Sequence, residues 1–190
     1  MLWKRKIVYM NTLNFLKIAL KDHKVAAISK SSSWAVDRVE ELLPKDIRFV
    51  VEYGPGTGVI TRRILSVLPD DGKIVGIELN KELFGALGNI RDVRFESVQG
   101  DVLDWTKDSL ARETHLVDAV VSTIPFSFLS ARERRMLIER TAHMLRPGGR
   151  FITCQFSLLV FPLIRRYFRK AKFSIEVRNF PPYFVMWGEK

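Results

Sequence analysis

Three glycines at alternate positions, Gly54, Gly56 and Gly58, follow an acid in the stretch Glu52-Tyr53-Gly54-Pro55-Gly56-Thr57-Gly58. Alternating glycines let the backbone take positive φ and remove the Cβ atoms that would hold a ligand off the main chain. A ligand can then lie against the turn and over the N-terminus of the helix that follows it. The spacing departs from the dinucleotide pattern G-x-G-x-x-G, whose last glycine would fall at Val59. No Lys-Ser or Lys-Thr closes the turn as a P-loop requires. Two more acids stand in register with the turn. Glu78 comes twenty residues after Gly58, at the end of an apolar run, where a carboxylate can accept both hydroxyls of a ribose. Asp101 follows a third such run.

These groups need a frame of strands and helices. Residues 47–51 read as a buried strand before the turn and 57–68 as a helix after it, stopped by Pro69-Asp70-Asp71-Gly72. Strands follow over 73–78 and 93–98, with Asn80 capping a helix to about Leu87 that leaves through Gly88-Asn89. Residues 103–107 are short and polar and read as a turn or a single helical turn, with Trp105 packing. Residues 116–121 are apolar on both faces, as a central parallel strand requires. Ser130-Ala131-Arg132-Glu133 is a capping box that opens a helix to about Leu145, and Arg146-Pro147-Gly148-Gly149 turns into a fifth strand over 150–155. Two last runs, 173–177 and 184–187, joined by a loop bearing Pro181-Pro182, read as an antiparallel pair at the end of the sheet. The expected architecture is a Rossmann-like α/β fold: seven mostly parallel strands, one reversed, with helices on both faces. Its ligand belongs at the carboxyl ends of the strands.

The 190 residues suit one domain with a substantial core. The expected division is a basic amphipathic helix within residues 1–30 and a single catalytic domain over 31–190, with Trp34 to Leu43 as a helix whose apolar face is Ala35, Val36, Val39, Leu42 and Leu43. A lone cysteine, Cys154, excludes an intrachain disulfide and fits a reducing compartment. Neither a secretory signal nor a spanning segment is read, because the longest apolar stretch, 151–164, is too short and is broken by Thr153, Gln155, Ser157 and Pro162. No metal site is expected. Net charge is +10, carried at the two ends. Residues 1–30 hold seven basic and one acidic residue, residues 157–190 hold seven and two, and the middle is close to neutral. Such a distribution fits an anionic surface touched by both ends of the chain.

The G-x-G-x-G turn with its upstream acid resembles class I S-adenosylmethionine-dependent methyltransferases, and so does Leu145-Arg146-Pro147-Gly148-Gly149 before a strand. The resemblance implies a cofactor site of Glu52, Gly54, Gly56, Gly58, Glu78, Leu79, Asp101, Val102 and Thr123, with S-adenosylhomocysteine as product. Within that class the chain resembles the bacterial phospholipid N-methyltransferases. The shared features are the basic N-terminal stretch with Ala26-Ala27-Ile28, the glycine turn, Ser122-Thr123-Ile124-Pro125 and Arg178-Asn179-Phe180-Pro181-Pro182. Thr123 stands where that family has a glycine. This resemblance implies transfer of methyl to the amine of phosphatidylethanolamine, toward phosphatidylcholine, by a cytoplasmic protein peripheral on the inner face of the membrane. Its partners are then an anionic membrane surface and the lipid itself. Lys17, Lys21 and Lys24 on the N-terminal helix, and Arg165, Arg166 and Arg169 after the apolar run 158–164, are the expected contacts to lipid phosphates.

The chain is also similar to the ribosomal RNA adenine dimethylases, where Thr123-Ile124-Pro125-Phe126 sits in place of Asn-Leu-Pro-Tyr and Phe126 would stack on an adenine. A third reading is a protein that binds S-adenosylmethionine and regulates without transferring methyl. If the acceptor is an amine, with a reference pKa of about 10, its proton must leave before transfer. Tyr9, Tyr53, His115, His143 and Tyr183 are the uncharged titratable candidates to take it, Tyr183 being favoured for its place after Pro181-Pro182.

Overall fold

A computed structural model describes residues 34–111, 116–177 and 182–190. Residues 34–42 are helical (α1), and Ala35, Val36, Val39, Leu42 and Leu43 are buried, the face expected from their spacing. The chain then alternates. β1 is Phe49–Tyr53, α2 Val59–Val67, β2 Lys73–Glu78, α3 Lys81–Leu87, β3 Phe95–Gln99, α4 Val102–Ala111 and β4 Val117–Ser122. After a 3-10 turn over Phe126–Phe128 come α5 Ala131–Met144, β5 Leu145–Gln155, α6 Phe161–Tyr167, β6 Lys170–Glu176 and β7 Tyr183–Glu189.

The seven strands form one sheet in the order β3-β2-β1-β4-β5-β7-β6. All neighbours are parallel except β7, which runs antiparallel to both β5 and β6. The reversed strand therefore sits between two parallel ones, and β6 is the edge. One face packs Val51, Tyr53, Val75, Ile77, Val120 and Phe151 against α4, α5 and α6. The other packs Val50, Ile74, Ala119, Val121 and Ile152 against α1 and α2. Burial on both faces explains why β1 and β4 read as continuous apolar runs.

The caps behave as the sequence implies. Asn80 Oδ1 accepts from the Glu82 and Leu83 N–H groups, and Ser130 and Glu133 satisfy each other's backbone in a full capping box. One element differs from expectation. Residues 103–107 lie inside a ten-residue helix, α4, in place of a turn. Asp101 Oδ1 takes the Leu103 N–H at its start, and Val102 and Thr106, one turn apart, are buried on its inner side. Arg140 of α5 donates to the Leu103 carbonyl and ties the two helices together. Trp105 packs at the margin of the core, as expected.

The entry to β1 is held from the neighbouring strand β4. Asp118 Oδ2 accepts from the Arg48 and Phe49 N–H groups, each at 2.7 Å, while Oδ1 pairs with the Arg146 guanidinium. Burial alone would raise this carboxyl, but the two backbone donors and Arg146 hold it below the usual carboxylate range. Arg146-Pro147-Gly148-Gly149 loops out where β5 pairs Leu145 with Val117 and then Arg150 with Ala119. Gly148 takes φ 77° there.

Candidate active site

The register fixes which residues share an end of the sheet. Tyr53, Ser122 and Thr153 lie at one level, next to the carboxyl ends of their strands. On the other half that level continues to Met186 and Phe173, and Gln155, Phe184 and Ile175 lie two residues nearer the carboxyl end. Beyond Tyr53 the chain makes the glycine turn, with φ of 72°, 60° and 79° at Gly54, Gly56 and Gly58. The three glycines are needed for different reasons. A Cβ on Gly54 would come within 2.8 Å of the Ile124 side chain, and one on Gly58 within 2.5 Å of Ile90. A Cβ on Gly56 would meet nothing within 4 Å and would project into open space in front of the turn. That space is where a ligand can reach the main chain.

Glu78 closes one side of it. The carboxylate is buried, with Oε2 accepting from the Gly56 N–H at 3.0 Å and Oε1 from the Asn80 N–H at 2.8 Å. Each oxygen keeps a lone pair, enough for two hydroxyls of one sugar. Leu79 beside it is 51% exposed, so its side chain can serve as a wall for a base. Asp101 lies at the next strand end, its Oδ1 held by the Leu103 N–H. Val102 turns its side chain into the core, so only its backbone can serve a ligand. Thr123 joins the turn to the loop after β4: its Oγ1 donates to the Gly54 carbonyl at 2.7 Å and its N–H to Tyr53 O at 3.1 Å.

Glu52 lies beneath the turn, on the α2 side of the sheet. Thr61 Oγ1 donates to its Oε2 at 2.6 Å, and Oε1 is buried without a partner among the described residues. Burial pushes this carboxyl up to about 7, opposed by the Thr61 hydrogen bond and reinforced by the Glu78 carboxylate. Native proteins rarely orphan a buried carboxylate oxygen, so its place under an open cradle fits a site completed by a polar ligand.

A methyltransferase domain family matches residues 50–149, from the first core position of β1 to the turn before the fifth strand's main run. The chain belongs to that methyltransferase family. Among curated relatives, it is 30% identical over 162 residues to an ornithine lipid N-methyltransferase of Singulisphaera acidiphila, covering 83% of this chain and 84% of that one. It is 34% identical over 97 residues to a ribosomal RNA small subunit methyltransferase A of Prochlorococcus marinus, covering 48% of this chain and 32% of that one. Among solved structures, the N-methyltransferase NodS of Bradyrhizobium japonicum superposes with a TM-score of 0.69 at 13% identity, over 85% of this chain and 97% of that one.

The methyltransferase is S-adenosylmethionine-dependent. The residues present fit the cofactor: Glu78 would take the ribose hydroxyls, Leu79 and Asp101 would face the base, and the turn around Gly56 would take the remainder. When bound, S-adenosylmethionine supplies an electrophilic methyl group on a sulfonium. The protein's part is to hold an acceptor lone pair in line with that group and keep water away.

The proton-accepting candidates are sorted by position. Tyr53 is fully buried, 3.1 Å from Thr141 Oγ1, and burial raises its phenol. His143 is exposed on the last turn of α5, at the amino end of the sheet, against the Glu139 carbonyl. Tyr183 lies at the carboxyl end, its ring stacked on Phe156 at 4.2 Å. Burial, with Cys154 adding, pushes its phenol above the ordinary value, so at neutral pH Tyr183 offers an O–H rather than a phenolate. Tyr9 and His115 lie outside the described residues, as do Lys17, Lys21 and Lys24.

Arg165, Arg166 and Arg169 do not join this end. They follow α6 back to the start of β6, where Lys170 pairs with Glu189. Six strand residues, about 20 Å, separate that level from Tyr183. Gln155, which the sequence reading did not single out, proves central to the loop after β4.

Proposed function

We propose that the acceptor is the amine of a membrane lipid headgroup, phosphatidylethanolamine or an amine-bearing lipid of similar reach, methylated while the protein lies on the membrane surface. The observation that carries this is a run of exposed apolar side chains at the carboxyl end of the sheet, reaching from the end of β5 to the edge strand β6. Phe156 and Ile175 are about half exposed and Val177 is 73% exposed, all at the carboxyl end or just past it, with Leu159 and Phe173 nearby. Apolar bulk at the same end of the sheet as a methyl-transfer site suits acyl chains brought in with a headgroup, and large exposed apolar patches mark interaction surfaces. The ornithine lipid relative, similar over most of both chains, supports a lipid acceptor.

The arginines then set the orientation. Phe161 and Phe173 are in edge contact on the surface shared by α6 and β6, and Arg165 and Arg166 on the last turn of α6 continue that surface toward the amino end. A bilayer that meets both the apolar and the basic part lies along the β6–α6 edge rather than across the strand ends. There the basic residues face lipid phosphates, at about 1 kcal/mol each. No helix among the described residues is long and apolar enough to cross a membrane.

An RNA acceptor finds less support. Phe126, which would stack on an extruded adenine, is fully buried and in edge contact with Phe151, so its faces are committed to the core. The test is transfer of labelled methyl from S-adenosylmethionine to vesicles of phosphatidylethanolamine or ornithine lipid with anionic lipid, and to ribosomal RNA in parallel. Label in a lipid amine is expected. Label in RNA alone, or in neither fraction, contradicts the lipid reading.

A further inference from the structure

We infer that Gln155 is a positioning residue that fixes the loop Thr123–Phe126, the wall between the cofactor turn and the acceptor. Gln155 is the last residue of β5 and is 8% exposed. Its carboxamide is used in both directions. Nε2 donates to the Ile124 carbonyl at 2.9 Å and to Thr153 Oγ1 at 3.0 Å, while Oε1 accepts from the Phe126 N–H at 3.4 Å. Thr153 is oriented in turn, because its Oγ1 donates to the Ser122 carbonyl at 2.9 Å. One amide thus spans Pro125, satisfying a carbonyl before it and an N–H after it.

The same loop is tied to the cofactor turn at its other end by Thr123, and the Ile124 side chain presses against Gly54. Arg134 of α5 adds a donor to the Leu129 carbonyl at 2.6 Å, closing the far side of the 3-10 turn. The segment is therefore held at three points, and only the Gln155 point needs a donor and an acceptor on one side chain. A carboxylate of the same shape would set oxygen against the Ile124 carbonyl, and an apolar isostere would leave both loop groups unpaired. Because transfer requires the acceptor nitrogen in line at close range, a loop that drifts by an ångström lowers turnover while the cofactor still binds through Gly56 and Glu78.

The experiment compares wild type with Gln155→Met and Gln155→Glu. Three quantities are read: amide hydrogen exchange across residues 124–128, affinity for S-adenosylhomocysteine, and kcat and KM with lipid vesicles. The turnover measurement rests on the lipid reading; the other two do not. In Gln155→Met, exchange across 124–128 is expected to rise at least tenfold and kcat to fall about 10- to 100-fold. KM is expected to stay within threefold and S-adenosylhomocysteine affinity within twofold. Gln155→Glu, which keeps the acceptor for Phe126, should exchange less than the Met variant and still lose turnover. Unchanged exchange in both variants, turnover within threefold of wild type, or affinity falling in step with kcat would each overturn the assignment. If wild type methylates no lipid, the acceptor reading fails and the exchange and affinity data alone decide the role of Gln155. If Gln155→Met does not fold, Thr153→Val serves instead. It removes the hydroxyl that orients the carboxamide, and a kcat drop of threefold or more at constant affinity is expected; unchanged kcat overturns the proposal.

Discussion

Burial of Glu52 makes the stability of the cofactor-free protein fall as pH rises through neutrality. An ordinary glutamate of reference pKa 4.5 is raised to about 7 in the fold, so between those values the folded state holds a proton that the unfolded state has lost. Stability from this group is complete below pH 4.5 and declines until the folded carboxyl ionises above 7. Integrating between pH 5 and pH 8 gives a decline of about 2–3 kcal/mol, several-fold more than a typical surface group contributes. Urea unfolding at pH 5, 6, 7 and 8 measures it, with the slope against denaturant checked for constancy. Glu52→Gln retains the size and an acceptor for the Thr61 hydroxyl but cannot ionise. The variant should lose the decline, and at pH 8 should be more stable than wild type. Equal slopes in the two proteins would refute the assignment of the orphaned Oε1 to a desolvated carboxyl.

Other expectations follow from the same geometry. Gly56→Ala should change stability by about 1 kcal/mol, from its φ of 60°, yet weaken S-adenosylhomocysteine binding at least tenfold, because the new methyl enters the cradle; titration calorimetry beside thermal unfolding separates the two effects. Gly58→Ala should do the reverse, with its Cβ 2.5 Å from Ile90 adding to the strain and the larger effect falling on Tm. Phe126→Ala should destabilise by about 3–5 kcal/mol, as a buried core ring does; a variant of wild-type stability with poor turnover would instead make Phe126 a stacking surface. Asp118→Ala should cost about 3 kcal/mol by leaving the Arg48 and Phe49 N–H groups unpaired and removing one of the two carboxylates that pair with Arg146, measurable by denaturant midpoint.

Much of the fold was legible because its central strands leave little choice. β1 and β4 are apolar on both faces, and the turns between elements carry glycine, proline or a capping side chain. The gathering of the candidate cofactor residues was legible for the same reason, since the glycines and the acids Glu78 and Asp101 come at or just after the ends of neighbouring strands. α4 was not, because Asp104, Lys107 and Asp108 mask an inner side that rests on Val102 and Thr106, one turn apart. The position of Arg165–Arg169 was implied but not drawn: a helix crossing back between parallel strands must end at the amino end of the sheet, far from the glycine turn. Gln155 gave no signal at all, because a glutamine at a strand end reads as solvent-facing. It gains meaning only when the loop after β4 folds over it.

Binding of S-adenosylhomocysteine to wild type and Glu78→Gln, followed by titration calorimetry, probes the heart of the site. Wild type should bind one equivalent, and the variant, which turns one ribose acceptor into a donor, should bind at least tenfold more weakly with its fold intact by circular dichroism. Equal affinity in the two proteins would mean that the sugar is not held by Glu78 and that the cofactor does not lie in the space before Gly56.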